Sequence, residues 1–289
     1  MPIALSLDAM EQFICAFMER PGKNRVAASD ALRPDLDGFL MYGPPLAGVA
    51  AADDPLFARL RVPDAVGPHF RLPEEWLPGA ASVVSLFFPY AAEVTKSNGA
   101  DSEWASDEWL HARIEGQEMI DSLAGHLAEE MRRAGWRALA PSIHPGFQVW
   151  RRPPGTPETE PANPTSNWSE RHVAHVAGLG TFGMSHALIT PAGAAGRLTS
   201  VITDMPLPPT PRDYTRHDEY CTRCGACAPR CPVDAIRPER GGKDKRLCME
   251  RVDLSRARFA PRYGCGKCYT AVPCERRAPG RHAERGAGK

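Results

Sequence analysis

Nine cysteines divide this chain before any other feature is read: Cys15 stands alone near the start, and the other eight fall between 221 and 274. The run C-T-R-C-G-A-C-A-P-R-C-P places Cys221, Cys224, Cys227 and Cys231 ahead of Pro232. That is the C-x2-C-x2-C-x3-C-P spacing of bacterial ferredoxins. Three thiolates on one short loop reach three iron corners of a cubane, and the proline turns the chain so that the fourth thiolate reaches a different cluster. A second set, Cys248, Cys265, Cys268 and Cys274, completes eight thiolates, enough for two 4Fe-4S clusters with none left over. The expected division is Cys221, Cys224, Cys227 and Cys274 on one cluster, and Cys231, Cys248, Cys265 and Cys268 on the other. The roles of Cys248 and Cys274 are the interchangeable part of that assignment. Structural zinc explains C-x2-C pairs but neither the third close cysteine nor the proline. Disulfides require an oxidising compartment that nothing in the chain suggests.

The remaining composition sets bounds. The 289 residues suffice for two ordinary domains, and 35 basic against 35 acidic side chains give zero formal charge. A strongly electrostatic partner is not advertised, so tRNA binding is possible but unsupported by charge. There is no apolar run long enough for a membrane span, and the start, MPIALSLDAMEQF, lacks a secretory pattern. The expectation is a cytoplasmic protein. Prolines, 29 in all, gather in loop-like stretches such as 151–166 and 205–213.

Apolar spacing predicts a helix over 6–19, with Cys15 as a small buried hydrophobe, and a long helix from Ser106 or Asp107 to Ala134. Residues 23–79 show no clear period and read as loops with short helices. Strands are expected at 81–90, 136–141, 147–150, 186–190 and 198–204. Asn167 and Glu170 have capping-box spacing ahead of a helix stopped by Gly178. The loop GLGTFG (178–183) formally matches a dinucleotide fingerprint, but a helix precedes it and a strand follows, the inverse of what that site needs. Its glycines read instead as a helix stop and turn, or as a close approach of backbone to a large flat cofactor. His172 and His175, three apart on one helix, read as surface or supporting residues. The basic segment 275–289 reads as a solvated tail.

The stretch ERHVAHVAGLGTFGMSHALITPAGAAGRLTSVITDMPL (170–207), joined to CTRCGACAPRCPVDAI (221–236) and preceded by LPEEWLPGAASVVSLFFPY (72–90), resembles epoxyqueuosine reductase and its shorter iron–sulfur paralogues. The resemblance covers about two-thirds of the chain. It implies an α+β protein in which a nitroreductase-like N-terminal α/β domain, related to reductive dehalogenases and cobalamin-binding, precedes a two-cluster ferredoxin-like domain. The corresponding boundaries are 1–208, 209–278 and a basic tail at 279–289. By the same analogy Gly178, Gly180, Gly183 and Ser185 lie against the corrin or substrate. The family's proton-donating acid lies ahead of the long helix, where Asp107 and His111 are the candidates here, although the family's Arg-Asp-Tyr-His-like run is not matched. For Asp107 a helix N-cap is the competing role. CYTAVPC (268–274) is more widely spaced than the family's final pair, and the chain ends without the helical repeats of many tRNA-acting members.

The functional expectation is an oxidoreductase passing electrons through two 4Fe-4S clusters to a corrinoid, which reduces a small-molecule or nucleoside-like substrate. Flavodoxin, ferredoxin or a reductase would be its electron donor. The alternatives are a non-catalytic electron carrier or activase, and a tRNA epoxyqueuosine reductase.

Overall fold

The computed structural model describes residues 6–159, 163–237 and 242–279. Its centre is a four-stranded sheet in the order β1 (Leu46–Ala51), β2 (Ser82–Pro89), β8 (Gly196–Thr203), β3 (Ala138–Leu139). All three pairings are antiparallel. β2 is buried along nearly its whole length, which explains its unbroken apolar run. Val84, Leu86 and Phe88 alternate onto one face with Val49 and Val201; Val83 turns to the other with Ala50 and Ile202. A strand coated on both sides has no polar face to show, so its period is hidden.

On the first face lie α1 (Leu7–Met18) and α6 (Glu115–Arg133), whose Ile120, Leu123, Leu127 and Met131 are inaccessible to solvent or nearly so. Burial of such side chains is worth about 1.5–3 kcal/mol each. On the second face lie α2 (Pro55–Arg59) and α7 (Glu170–Val176), around Trp168 stacked on Phe70 at 5.4 Å. The short helices α3 (Pro73–Trp76) and α4 (Ala92–Ala100) flank β2 in sequence.

Several expectations need correction. The stretch 23–79 contains β1, an edge strand whose LAGVAA sequence carries little strand propensity and is held by pairing to β2. The long helix is two, α5 (Asp107–Arg113) and α6, broken at Ile114 (φ −102°, ψ −71°). The break has a cause: Tyr42 Oη donates 2.5 Å to the Ala112 carbonyl, the acceptor a continuous helix would have offered to Gly116. A Cβ on Gly116 would stand 2.6 Å from that hydroxyl. Cys15 is exposed, because Ile14, Phe17 and Met18 take the core-facing positions of α1. Burial, then Glu19 and Glu11, push its thiol up, so it makes a poor nucleophile.

Asn167 does not cap α7. Ser169 is the N-cap residue, and Asn167 instead accepts from Gln148 N–H at 3.0 Å and donates to the Gly146 carbonyl at 2.8 Å. The strand expected at 147–150 is β4 (Val149–Trp150), paired with β5 (Thr165–Ser166). That expected at 186–190 is β7 (Leu188–Ile189), paired with β6 (Thr181–Phe182). Neither pair joins the central sheet. The cysteine-rich segment adds β9 (Ile236–Arg237), β10 (Gly242–Lys243) and α8 (Lys245–Phe259). Among the described residues no helix is long and apolar enough to cross a membrane.

Candidate electron-transfer site

The fields that Cys274 and Cys268 feel sort the eight clustered cysteines into two quartets, each drawing on both runs of the sequence. Cys274 has its thiol pushed up to about 12, first by burial and then by the fields of Cys221, Cys227 and Cys224. Cys268, fully enclosed, is pushed up to about 11 by burial; Lys243 opposes this, while Cys265, Cys248 and Cys231 reinforce it. Each thiol therefore senses three others, and the two sets share no member. Cys227 and Cys265 are raised for the same first reason, burial. Among the described residues no three His, Cys, Asp or Glu side chains converge on a single-ion site.

The two quartets differ in exposure. Cys224 of the first is exposed, on a loop where Arg223 adopts φ +54° and Asp218 is paired with both Arg216 and Arg223. Those two guanidinium groups hold the Asp218 carboxyl down at about 2, the hydrogen bond from Arg223 contributing most. The second quartet is deeper. Cys248 rides the first turn of α8, whose N-cap Asp244 accepts from Arg246 and Leu247. Cys231 Sγ accepts from Ala235 N–H at 3.2 Å.

Cys265 and Cys268 are held against the sheet domain by glycine. Gly266 has φ +70°, and a Cβ there would stand 2.0 Å from the Trp109 ring. Trp109 is 1% exposed and lies 4.4 Å from Tyr90 and 5.5 Å from Tyr269. Asn98 Nδ2 donates to the Cys265 carbonyl at 3.1 Å. Lys267, with no exposed surface, donates to the Asn98 carbonyl at 2.7 Å and the Asp101 carbonyl at 3.0 Å, at the C-terminal end of α4. Burial lowers that ammonium to about 8.

A cavity of about 200 Å³ opens against all four thiols of the second quartet. Its walls also carry the cations Arg113, Arg171, Arg197, Lys243 and Arg251, and the rings of Trp109, Tyr263 and Tyr269. Burial alone would lower Lys243, but the thiols of Cys268 and Cys248 outweigh it and raise the ammonium. Arg113 donates to Tyr263 Oη at 3.2 Å and sits 4.7 Å over that ring. Burial favours the neutral Tyr263 phenol; Arg113 and Arg256 prevail and lower it. Sequence reasoning missed both Trp109 and the cations as parts of a site. Arg197 opening the β8 run, and Arg113 one helical turn after Trp109, were the available signals.

The other singled-out residues stand elsewhere. Asp107 and His111 do not line this cavity. Asp107 follows the true N-cap, Ser106, in the first turn of α5, and pairs with Arg33 at 3.1 Å. His111 is wholly buried; its Nε2 accepts from Leu32 N–H at 3.1 Å, and its Nδ1 lies 3.3 Å from Glu115, which also pairs with Arg262. Gly178 takes φ +83°, as a helix stop requires. A Cβ on Gly180 would stand 2.1 Å from the Ile189 carbonyl oxygen, and one on Gly183 3.1 Å from the Ile189 side chain. The room these two glycines give is thus used by β7. Ser185 is buried beside them. His175 Nδ1 donates to the Gly180 carbonyl at 2.8 Å, and Ser169 and His172 are hydrogen-bonded at 2.7 Å, so both histidines pin this loop. Burial lowers His172 to about 3 and also lowers His175. Residues 280–289 of the basic tail lie outside the described residues.

The cavity of about 200 Å³ is lined by the second quartet itself, which puts it beside a cluster held there; the corrinoid expected from the resemblance stays an expectation.

An α+β fold with a cysteine-lined cavity defines an iron–sulfur protein, and residues 214–237 match the model of the 4Fe-4S binding domain. Among curated proteins the chain is similar to epoxyqueuosine reductases. That of Aliivibrio fischeri is 26% identical over 225 residues, 71% of this chain and 53% of that one. That of Francisella cf. novicida is 32% identical over 123 residues, 38% of this chain and 33% of that one. The chain spans about half the length of relatives such as the first. A catabolic reductive dehalogenase shares its fold, with a TM-score of 0.53 at 16% identity, covering 94% of this chain and 36% of that one. A second reductive dehalogenase, for which a mechanism of B12-dependent dehalogenation is suggested, gives 0.52 at 16%, over 97% and 38%.

Proposed function

We propose that this protein is an iron–sulfur oxidoreductase that takes single electrons at its surface and delivers them to a small-molecule or nucleoside-like substrate in the cationic cavity. The observation that carries the reading is the arrangement of the two quartets: one reaches the surface at Cys224, while the other walls the cavity. Residues 209–278 would form the electron module and 1–208 the domain that encloses substrate. The first quartet, Cys221, Cys224, Cys227 and Cys274, would hold the entry cluster; Cys231, Cys248, Cys265 and Cys268 the inner one. The 4Fe-4S clusters would supply one-electron transfer at a potential set by burial, net charge and hydrogen bonds to sulfur.

The chain's own groups do the rest. Lys243 and Arg251 offset thiolate charge at the inner quartet, and the Ala235 N–H bonds a ligand sulfur. Trp109 and Gly266 fix the quartet against the sheet domain, so the distance to the cavity does not drift. Arg113 donates to Tyr263 Oη, which leaves the phenolic proton free to pass to a substrate that has gained electrons. The reading includes no step on cobalt, and Asp107 and His111 serve the α5 neighbourhood rather than the cavity.

The similarity to epoxyqueuosine reductases makes an epoxide-bearing nucleoside the first probe. Reduced flavodoxin, mixed anaerobically with the iron-loaded protein, should be oxidised faster when epoxyqueuosine nucleoside is added. Cys268→Ser should abolish that acceleration while the surface cluster still accepts electrons. Flavodoxin oxidation that is indifferent to the nucleoside would refute this substrate class and favour an electron carrier.

A further inference from the structure

We propose that the cavity beside the inner quartet binds an oxyanion, the carboxylate or phosphate of its ligand, on the guanidinium groups of Arg113 and Arg197. This rests on the electron-transfer reading and deepens it by naming the charge that the substrate carries.

A 4Fe-4S cube on four thiolates carries two net negative charges when oxidised. Two of the five cations meet that demand: Lys243, coupled to Cys268 and Cys248, and Arg251, which donates to the Glu103 carbonyl and stacks 3.7 Å over Trp104. Arg113, Arg171 and Arg197 remain. Arg113 finds only a neutral phenol, and Arg197 directs Nε, at 2.8 Å, and Nη2 onto the neutral Gln117 Oε1. No carboxylate stands within ion-pair distance of these cations among the described residues. Asp121 feels both Arg197 and Arg113, but it accepts from Gln117 Nε2 at 2.8 Å, and burial raises its carboxyl, which weakens it as a counter-ion.

Two buried guanidinium groups near enough to repel are costly unless an anion joins them. Arg113 is lowered by burial and next by Arg197; burial also opposes charge on Arg197, but Tyr90, Tyr42, Tyr269 and Tyr263 outweigh it and raise that guanidinium, so both groups stay charged. A planar guanidinium fork is also the geometry that grips a carboxylate or phosphate through two bonds.

The test titrates anaerobic, iron-loaded protein with inorganic phosphate and, separately, with acetate. Ionic strength is held constant, and both heat and the electron paramagnetic resonance line shape of the reduced clusters are read. Saturable binding of either probe, weakened at least tenfold per intact cluster pair by Arg113→Gln, supports the inference. The preferred probe identifies the headgroup. Arg113→Lys, which keeps charge and loses the fork, should fall between the two. Fully iron-loaded protein that binds neither probe, or binds it unchanged after Arg113→Gln, overturns the anion site alone. A wild-type protein without iron and sulfide overturns the underlying electron-transfer reading instead.

Discussion

Glu170 offers a sharp test of how the sheet domain is built. It begins α7, its carboxyl is enclosed, and neither oxygen has a hydrogen-bond partner of proper geometry. Burial lifts it from 4.5 to about 7; Ser200 and Trp168 stand close enough to hold it down in part, and Asp121 pushes it up. Trp168 Nε1 is already committed to Ser200 Oγ at 2.9 Å, so burial wins. A carboxyl raised on folding contributes stability that is complete below the unfolded value and is lost as pH climbs through the folded one. The native protein should therefore lose stability between about pH 4.5 and 7. A shift of that size, at 1.36 kcal/mol per unit, amounts to about 3 kcal/mol. Glu170→Gln keeps the shape and removes the charge. Its stability relative to wild type should improve by about 2.5 kcal/mol on going from pH 5 to pH 8.5. Anaerobic urea unfolding of both proteins, followed by tryptophan fluorescence at the two pH values, measures this directly. A stability difference between them that does not change with pH would refute the reasoning.

Three further outcomes are expected. Gly180→Ala should destabilise by about 3 kcal/mol, since the added methyl would lie 2.1 Å from the Ile189 carbonyl oxygen; Gly135→Ala, with nothing within 4 Å, should cost about 1 kcal/mol by thermal melting. Lys267→Met should cost about 3 kcal/mol and reduce iron retention, because the carbonyls of Asn98 and Asp101 lose their buried donor; iron assay and unfolding read both effects. Cys268→Ser and Cys227→Ser should each remove one of two cluster signals in the reduced-state paramagnetic spectrum, and not the same one.

The 4Fe-4S binding segment was legible because ligand spacing is a local covalent constraint: Cys221, Cys224, Cys227 and Cys231 lie within eleven residues, inside the stretch that the 4Fe-4S binding domain model matches. β2 was legible because a strand buried on both faces reads as a continuous apolar run, and β8 because Leu198, Val201 and Ile202 stand among β-branched threonines. β1 was hidden because its small residues pack through pairing and close approach. A Cβ on Gly48 would stand 2.4 Å from the Ala177 carbonyl, a long-range fact. The break at Ile114 was hidden for a similar reason, since Tyr42 is distant in sequence. The cationic cavity draws on α5, α7, β8, the Cys231 loop, β10, α8 and the loop that follows it, so no local pattern announces it.

The central claim is that eight thiols hold two iron–sulfur clusters, one at the surface and one at the cavity. Iron, acid-labile sulfide, zinc and cobalt quantified together on oxygen-free protein test it most directly. The account predicts about eight irons and eight sulfides per chain, with the count halved by Cys268→Ser. Stoichiometric zinc, or a wild-type protein that saturates at four irons, would contradict it.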